Sequence, residues 1–196
     1  MMIKTTIAIL LLAAAVVSQL PTGIPAADIS RRPPPENGPL FARWLVGECR
    51  WGVLNTLDRQ NGFPFGNVVS YTDAATGVPY FYLSKTFDPT GPNALSNNRS
   101  SFTLSEAELG TCSVDPQSPL CAKITLSGQL YLLPENSSEA KSAERELFRT
   151  HPMLAGWPKT KGNFGAFKLV VGEIFLVNMF DAFKKVSVFD YFNVTF

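Results

Sequence analysis

The chain has 196 residues, 45% apolar and only 17% charged, which is material for one buried core and argues against widespread disorder. Seventeen Lys and Arg against sixteen Asp and Glu give a formal charge of +1 with no dense basic run, so no nucleic-acid partner is expected.

At the N-terminus, Lys4 precedes an apolar stretch from Ile7 to Val17. That is shorter than the about 20 residues a bilayer-spanning helix needs and suits a signal peptide. Residues 1–18 are read as that signal, cleaved after Ser18 or later at Ala26-Ala27, leaving no membrane span. Residues 19–39 are Pro-rich and read as a flexible lead-in, with Arg31-Arg32 as a solvated linker or a processing site. The folded domain is expected over 40–196.

From Leu40, Phe41, Trp44, Leu45 and Cys49 recur at helical spacing and predict a short amphipathic helix. Trp51–Leu57, Asn67–Thr72 and Val78–Ser84 read as three consecutive strands, separated by Gly62–Gly66 and by the small, polar segment Asp73–Gly77. Asn93–Ser101 is polar and reads as a surface loop or the start of a short exposed helix, and Phe102–Leu104 as strand. The clearest alternation is Lys123–Leu132, with Ile124, Leu126, Leu130 and Leu132 on one face. Ser137 or Ser138 caps a helix carrying Ala140, Ala143 and Leu147 along one side. Phe167–Val177 and Val186–Phe189 supply closing strands around a turn at Phe180-Asp181. Six to seven strands with two or three helices predict a mainly β fold, a small antiparallel barrel with peripheral helices.

Asn98, Asn136 and Asn193 each open a glycosylation sequon, which together with the N-terminal signal argues for a secretory route. Cys112 and Cys121 flank a turn-rich loop and can close as a disulfide in an oxidising compartment, worth about 2.5 to 3 kcal/mol on the chain-entropy model. Cys49 is left unpaired.

Catalytic chemistry finds little support. His151 is the only histidine and carries no nucleophile motif, so it reads as a structural or surface residue. Three Cys and one His without a C-x-x-C pair make a poor zinc set, and no metal is expected. No Gly-rich phosphate loop is present. A flavin phosphate held by scattered side chains would leave no contiguous motif, and Ser84, Lys85, Arg99, Ser100 and Lys168 are the residues that could serve, each equally readable as surface.

The segments Gly77–Ser84 and Asp115–Cys121, followed by Leu126-Ser127-Gly128, Leu147-Phe148, His151-Pro152, Trp157-Pro158 and Tyr191–Thr195, resemble the CREG family in order and approximate spacing over about residues 40–196. That resemblance implies an FMN-binding-type split β-barrel like that of pyridoxine-phosphate oxidases. It implies a homodimer, without bound flavin or oxidoreductase activity. It also implies a secreted or endo-lysosomal glycoprotein acting as a regulatory binding protein in growth, differentiation or lysosomal function, with a cell-surface or lysosomal sorting receptor as partner. In the family, the loop matching Asp115, Pro116, Gln117 and Ser118 lies where a flavin would otherwise sit and is tied to receptor contact. Two departures matter: the interval from Cys112 to Cys121 is shorter than the family's, and Arg99 replaces an expected proline, creating the Asn98 sequon. A shorter loop leaves the cleft less obstructed, so a flavin-dependent oxidoreductase using FMN stands as the alternative.

Overall fold

The computed structural model describes residues 29–157, 163–179 and 184–195. The signal peptide, residues 19–28 of the lead-in, Pro158 and the turn at Phe180-Asp181 lie outside the described residues. Among the described residues, no helix is long and apolar enough to cross a membrane.

Helix α1 (Gly38–Glu48) starts where Asn37 Oδ1 accepts the Leu40 amide at 3.3 Å, with a proline in its first turn, where the missing N–H costs nothing. Its apolar face, Phe41, Ala42, Trp44 and Leu45, is buried as the spacing predicts. Strands β1 (Trp51–Leu57), β2 (Pro64–Thr72) and β3 (Tyr80–Ser84) form the expected meander. Helix α2 (Thr90–Ser96) leads into β4 (Arg99–Ser105). A 3₁₀ turn (Glu106–Leu109) follows, then β5 (Lys123–Leu132) and α3 (Ser138–Thr150). Strand β6 (Phe164–Val177), the short β7 (Lys184–Val186) and helix α4 (Val188–Asn193) complete the order.

All seven strands are antiparallel, in the order β3-β2-β1-β4-β5-β6-β7, and a further β3–β6 pairing closes six of them into a barrel with β7 added outside the ring. Closure is uneven. Strands β3 and β6 pair over five residues, but β2 and β3 pair only at Tyr71↔Phe81 and Thr72↔Tyr80 before they part. Inside, Phe102 packs edge-on against Tyr71 and Phe81, with centroids 4.8 and 4.9 Å apart. The long β5–β6 pairing shifts register between Ser127 and Gly128, and a side chain at Gly128 would strike the Val170 carbonyl, so glycine is required there.

Three expectations change. Asn93–Ser101 is helix to Ser96 and strand from Arg99, exposed at Leu95, Ser96 and Asn97 as expected but not at its start: Thr90 and Asn93 are fully buried, and Asn93 Nδ2 donates to Thr56 Oγ1 at 3.2 Å. Helix α2 packs against β1, β2, β3 and β5 at one end of the barrel, where Thr90 and Asn93 satisfy strand and loop groups rather than facing water. Val186–Phe189 is strand only at Val186, because Ser187 Oγ accepts the Asp190 amide at 3.3 Å and starts α4, which carries Tyr191 into the core. The end of the lead-in is not a solvated linker: Arg32 Nε lies 2.6 Å from Glu106 Oε1, and its guanidinium covers the Phe41 ring at 4.9 Å.

Candidate functional site

Where β2 and β3 part, a cleft of about 560 Å³ opens between Asn67–Ser70 and Tyr82–Ser84. Its volume falls within the range of small-molecule pockets. Aromatic rings line one side: Tyr82 stacks on Phe164 at 5.5 Å, and Trp157 leans on the same ring at 5.4 Å. Phe87 stands at the rim, 72% exposed.

The polar end of this cleft is built from acceptors. Asn67 Nδ2 donates to Asp88 Oδ2 at 2.9 Å and to Thr90 Oγ1 at 3.0 Å, while the Thr90 amide donates to Asp88 Oδ1 at 2.8 Å. The Ser84 hydroxyl oxygen accepts the amides of Phe87 and Thr86 at 2.7 and 3.2 Å. The Thr90 amide at the start of α2 is thus taken by the Asp88 carboxylate, and among the described residues no Lys or Arg lines the cleft. A phosphate placed at this end would meet the like charge of Asp88, with no counter-charge among the described lining residues.

The residues considered for a flavin phosphate are not gathered. Ser84 lines the cleft, while Lys85 lines a separate pocket of about 240 Å³ with Glu135 and Glu144. Arg99 and Ser100 lie on β4, which stands opposite β3 in the six-strand ring. Lys168 Nζ is bonded to Glu139 at 2.7 Å, which holds that carboxyl below its usual range. The Tyr80 hydroxyl also donates to Glu139, and burial together with that carboxylate pushes Tyr80 up to about 12.

His151 is buried, with Nε2 2.8 Å from the Tyr71 carbonyl, so the ring donates there as the neutral tautomer. Burial, partly opposed by that bond, lowers its pKa. Cys49 is a buried free thiol whose Sγ lies 3.7 Å from the Ser105 carbonyl, and desolvation, reinforced by Glu108, drives its pKa up. It is therefore no nucleophile. Among the described residues no group of three His, Cys, Asp or Glu is placed to hold a metal ion.

The second feature is the loop closed by the Cys112–Cys121 disulfide, with Cα atoms 5.4 Å apart. Asp115, Pro116 and Gln117 are exposed and Ser118 is half-buried. The Ser118 amide donates to the Asp115 carbonyl at 2.9 Å, and the Gln117 amide to Asp115 Oδ1 at 2.8 Å. Lys123 Nζ donates to the carbonyls of Pro116, Gln117 and Ser118 at 3.0, 2.9 and 3.2 Å. At the loop's base, buried Glu106 binds Arg32, accepts Thr111 Oγ1 at 3.1 Å and accepts the Ala122 amide at 3.4 Å. Glu108 accepts the amides of Arg50 and Trp51 at 2.5 and 3.1 Å, yet burial raises its pKa.

The loop does not enter the cleft of its own chain. Pro116 instead walls a groove of about 360 Å³ with Trp51, Val53 and Leu104 on the β1–β4 side. Lys123 and Glu106 were missed as loop anchors, and Glu108 as the acceptor of the amides that open β1. Lys123 read as one residue on a polar strand face, and Glu106 and Glu108 carry no pattern to mark them as buried and half-buried.

The CREG β-barrel family model matches residues 33–193. Protein CREG1 of Gallus gallus is 36% identical over 174 residues, 83% of this chain and 88% of that protein. Protein CREG1 of Homo sapiens is 36% identical over 180 residues, 87% and 80% of the two chains. The fold alone is shared with a heme-binding protein from Mycobacterium smegmatis, at TM-score 0.64 and 19% identity over 76% of this chain and 57% of that one. A FAD-binding protein from Mesorhizobium loti has a TM-score of 0.50 and 14% identity, covering 69% of this chain and 90% of its own. With a family model spanning nearly the whole barrel and relatives above a third identity over most of their length, this chain belongs to the CREG family.

Proposed function

We propose that this protein is a secreted or endo-lysosomal glycoprotein that works by binding, through a rigid loop presented on a split-barrel scaffold, and not by flavin chemistry. The observation that carries this reading is the pairing of an acceptor-lined cleft with a fixed, exposed loop. The cleft offers Asp88 where a phosphate would need a cation. The Asp115–Ser118 loop is held by a disulfide, two turns and three Lys123 bonds, so it loses little entropy on meeting a partner.

The partner class is a cell-surface or lysosomal sorting receptor, with glycans at Asn98, Asn136 and Asn193 contributing solubility and sorting. Assembly is as a homodimer. Its support is an apolar strip on the outer face of β1 and β2, where Val53 pairs with Val68 and Trp51 with Ser70. Val68 is 62% and Trp51 41% exposed. Burial of such a strip favours association.

The test is binding of the glycosylated protein to receptor-bearing cells, comparing wild type with a variant carrying Asp115→Ala and Gln117→Ala. Binding reduced at least tenfold with an unchanged melting temperature supports the loop as the contact. Undiminished binding by the variant removes the loop from the account.

A further inference from the structure

At the barrel end covered by α2, a groove of about 540 Å³ runs along the surface between α2 and β5. Its walls include Leu95, Asn97, Asn98, Tyr131 and Leu132. Two large apolar side chains stand open there, Leu95 at 51% and Tyr131 at 43% exposure. The Tyr131 hydroxyl donates to Gln129 Oε1, which fixes how the ring lies on β5.

Asn98 is built into this wall. Its carbonyl accepts the Leu130 amide at 2.8 Å, which sets it beside Tyr131, and the next residue, Arg99, pairs with Gln129. Ser100, the hydroxyl of the sequon, is 9% exposed and donates to the Asn98 carbonyl at 3.3 Å. A sequon hydroxyl engaged in that way is not available once the strand has formed, so modification at Asn98 precedes folding of β4.

The geometry points to an N-linked glycan on Asn98 whose first sugars lie in this groove against Tyr131 and Leu95. The inference rests on the secretory reading above. In the transfer step, Asn98 Nδ2 forms a bond to the anomeric carbon of a lipid-diphosphate-linked oligosaccharide. The bond from that carbon to the diphosphate oxygen breaks, the lipid diphosphate departs with the electron pair, and one amide proton is lost to base. No oxidant or reductant is involved.

The occupant is argued from attachment and shape. The modified residue is part of the wall, so the first sugars arrive at high effective concentration without a second partner. The groove's volume is in the range of pockets that enclose small ligands. Sugar rings present apolar C–H faces, and covering Tyr131 and Leu95 removes exposed apolar surface from water. The other two sequons provide contrast. Asn136 stands exposed on the turn before α3, and Asn193 is exposed at the end of α4 with Nδ2 bonded to the Phe189 carbonyl at 2.7 Å.

The test uses full-length protein secreted from eukaryotic cells. Glycopeptide mass spectrometry reads occupancy at all three sites, and an endoglycosidase is applied to the native protein. The expected result is an occupied Asn98 whose glycan is released at least tenfold more slowly than that of Asn136, with Tyr131→Ala removing most of that protection. In thermal melts, Asn98→Gln lowers Tm by about 2 °C, and adding it to Tyr131→Ala produces no further loss. A bare Asn98 beside an occupied Asn136 or Asn193 overturns this inference and leaves the secretory reading intact. Three bare sites overturn both. An occupied Asn98 released as fast as Asn136, or strictly additive melting shifts, shows that the glycan does not use the groove.

Discussion

Arg32 Nε lies 2.6 Å from Glu106 Oε1, and the Glu106 side chain is only 3% exposed. The pair joins the end of the N-terminal lead-in to the base of the disulfide loop, 74 residues later in the chain. A carboxylate that deep needs its partners, since removing one leaves an uncompensated buried charge.

Breaking this pair is costly from either side. Arg32→Ala is expected to lower unfolding free energy by about 2 kcal/mol, because Thr111 and Ala122 still serve the carboxylate while the cation is lost. Glu106→Gln costs about as much, and urea unfolding of the double variant shows no more loss than the larger single effect.

The loop has two separable restraints. Cys112→Ser removes a short closed loop from the unfolded-state constraint and is expected to cost about 2.5 kcal/mol. Lys123→Met removes three bonds to carbonyls near the surface and costs about 1 kcal/mol. Hydrogen exchange should then accelerate at Gln117 and Ser118 while β5 core amides are unchanged.

Two non-glycine residues, Ala74 and Ala75, adopt positive φ of 48° and 58° in the β2–β3 hairpin. Ala75 is exposed and bonds only through its backbone, the carbonyl accepting Arg43 Nη2 at 3.3 Å and the amide donating to Asp73 Oδ1 at 3.1 Å, so glycine there relieves strain without losing a hydrogen bond. Ala75→Gly is expected to stabilise by about 0.5 to 1 kcal/mol in thermal or urea melts. Ala74→Gly gains less, because Ala74 packs against the cluster beneath α3.

His151 gives a pH dependence of known sign. Its pKa is depressed in the folded state by burial, so the unfolded chain binds the proton more readily. Its contribution is present in full above the unfolded value near 6.5 and is lost as pH falls below it. Glu108 works in the opposite sense, because a raised carboxyl pKa favours the folded state as pH falls toward the ordinary carboxylate range. His151→Gln keeps an N–H for the Tyr71 carbonyl and does not titrate. The variant should therefore lose less stability than wild type between pH 7 and pH 5.5, measured by urea unfolding.

What the sequence disclosed follows from where side chains alternate between core and water. Lys123–Leu132 could be read because a half-buried strand writes its burial into a period of two. Ser137 could be read because a capping hydroxyl must precede the helix it serves, and its Oγ accepts the Ala140 amide at 3.1 Å. Thr90–Ser96 was hidden because α2 buries polar groups, Thr90 and Asn93, against other polar groups. For the site, the family motifs located the loop, whereas its anchors Arg32, Glu106 and Lys123 come together only through long-range folding. The opposition of β3 and β4 in the ring, which keeps Ser84 from Arg99, is a property of barrel closure that no local pattern records.

If the protein works by binding through its loop, as proposed, the cleft between β2 and β3 takes up no flavin. The most direct measurement is an absorbance spectrum with native mass spectrometry on protein secreted from eukaryotic cells, before and after incubation with FMN. The expected result is a colourless dimer whose mass is unchanged by FMN. A yellow protein carrying about one flavin per chain, on purification or after incubation, would contradict it and restore the flavin oxidoreductase reading.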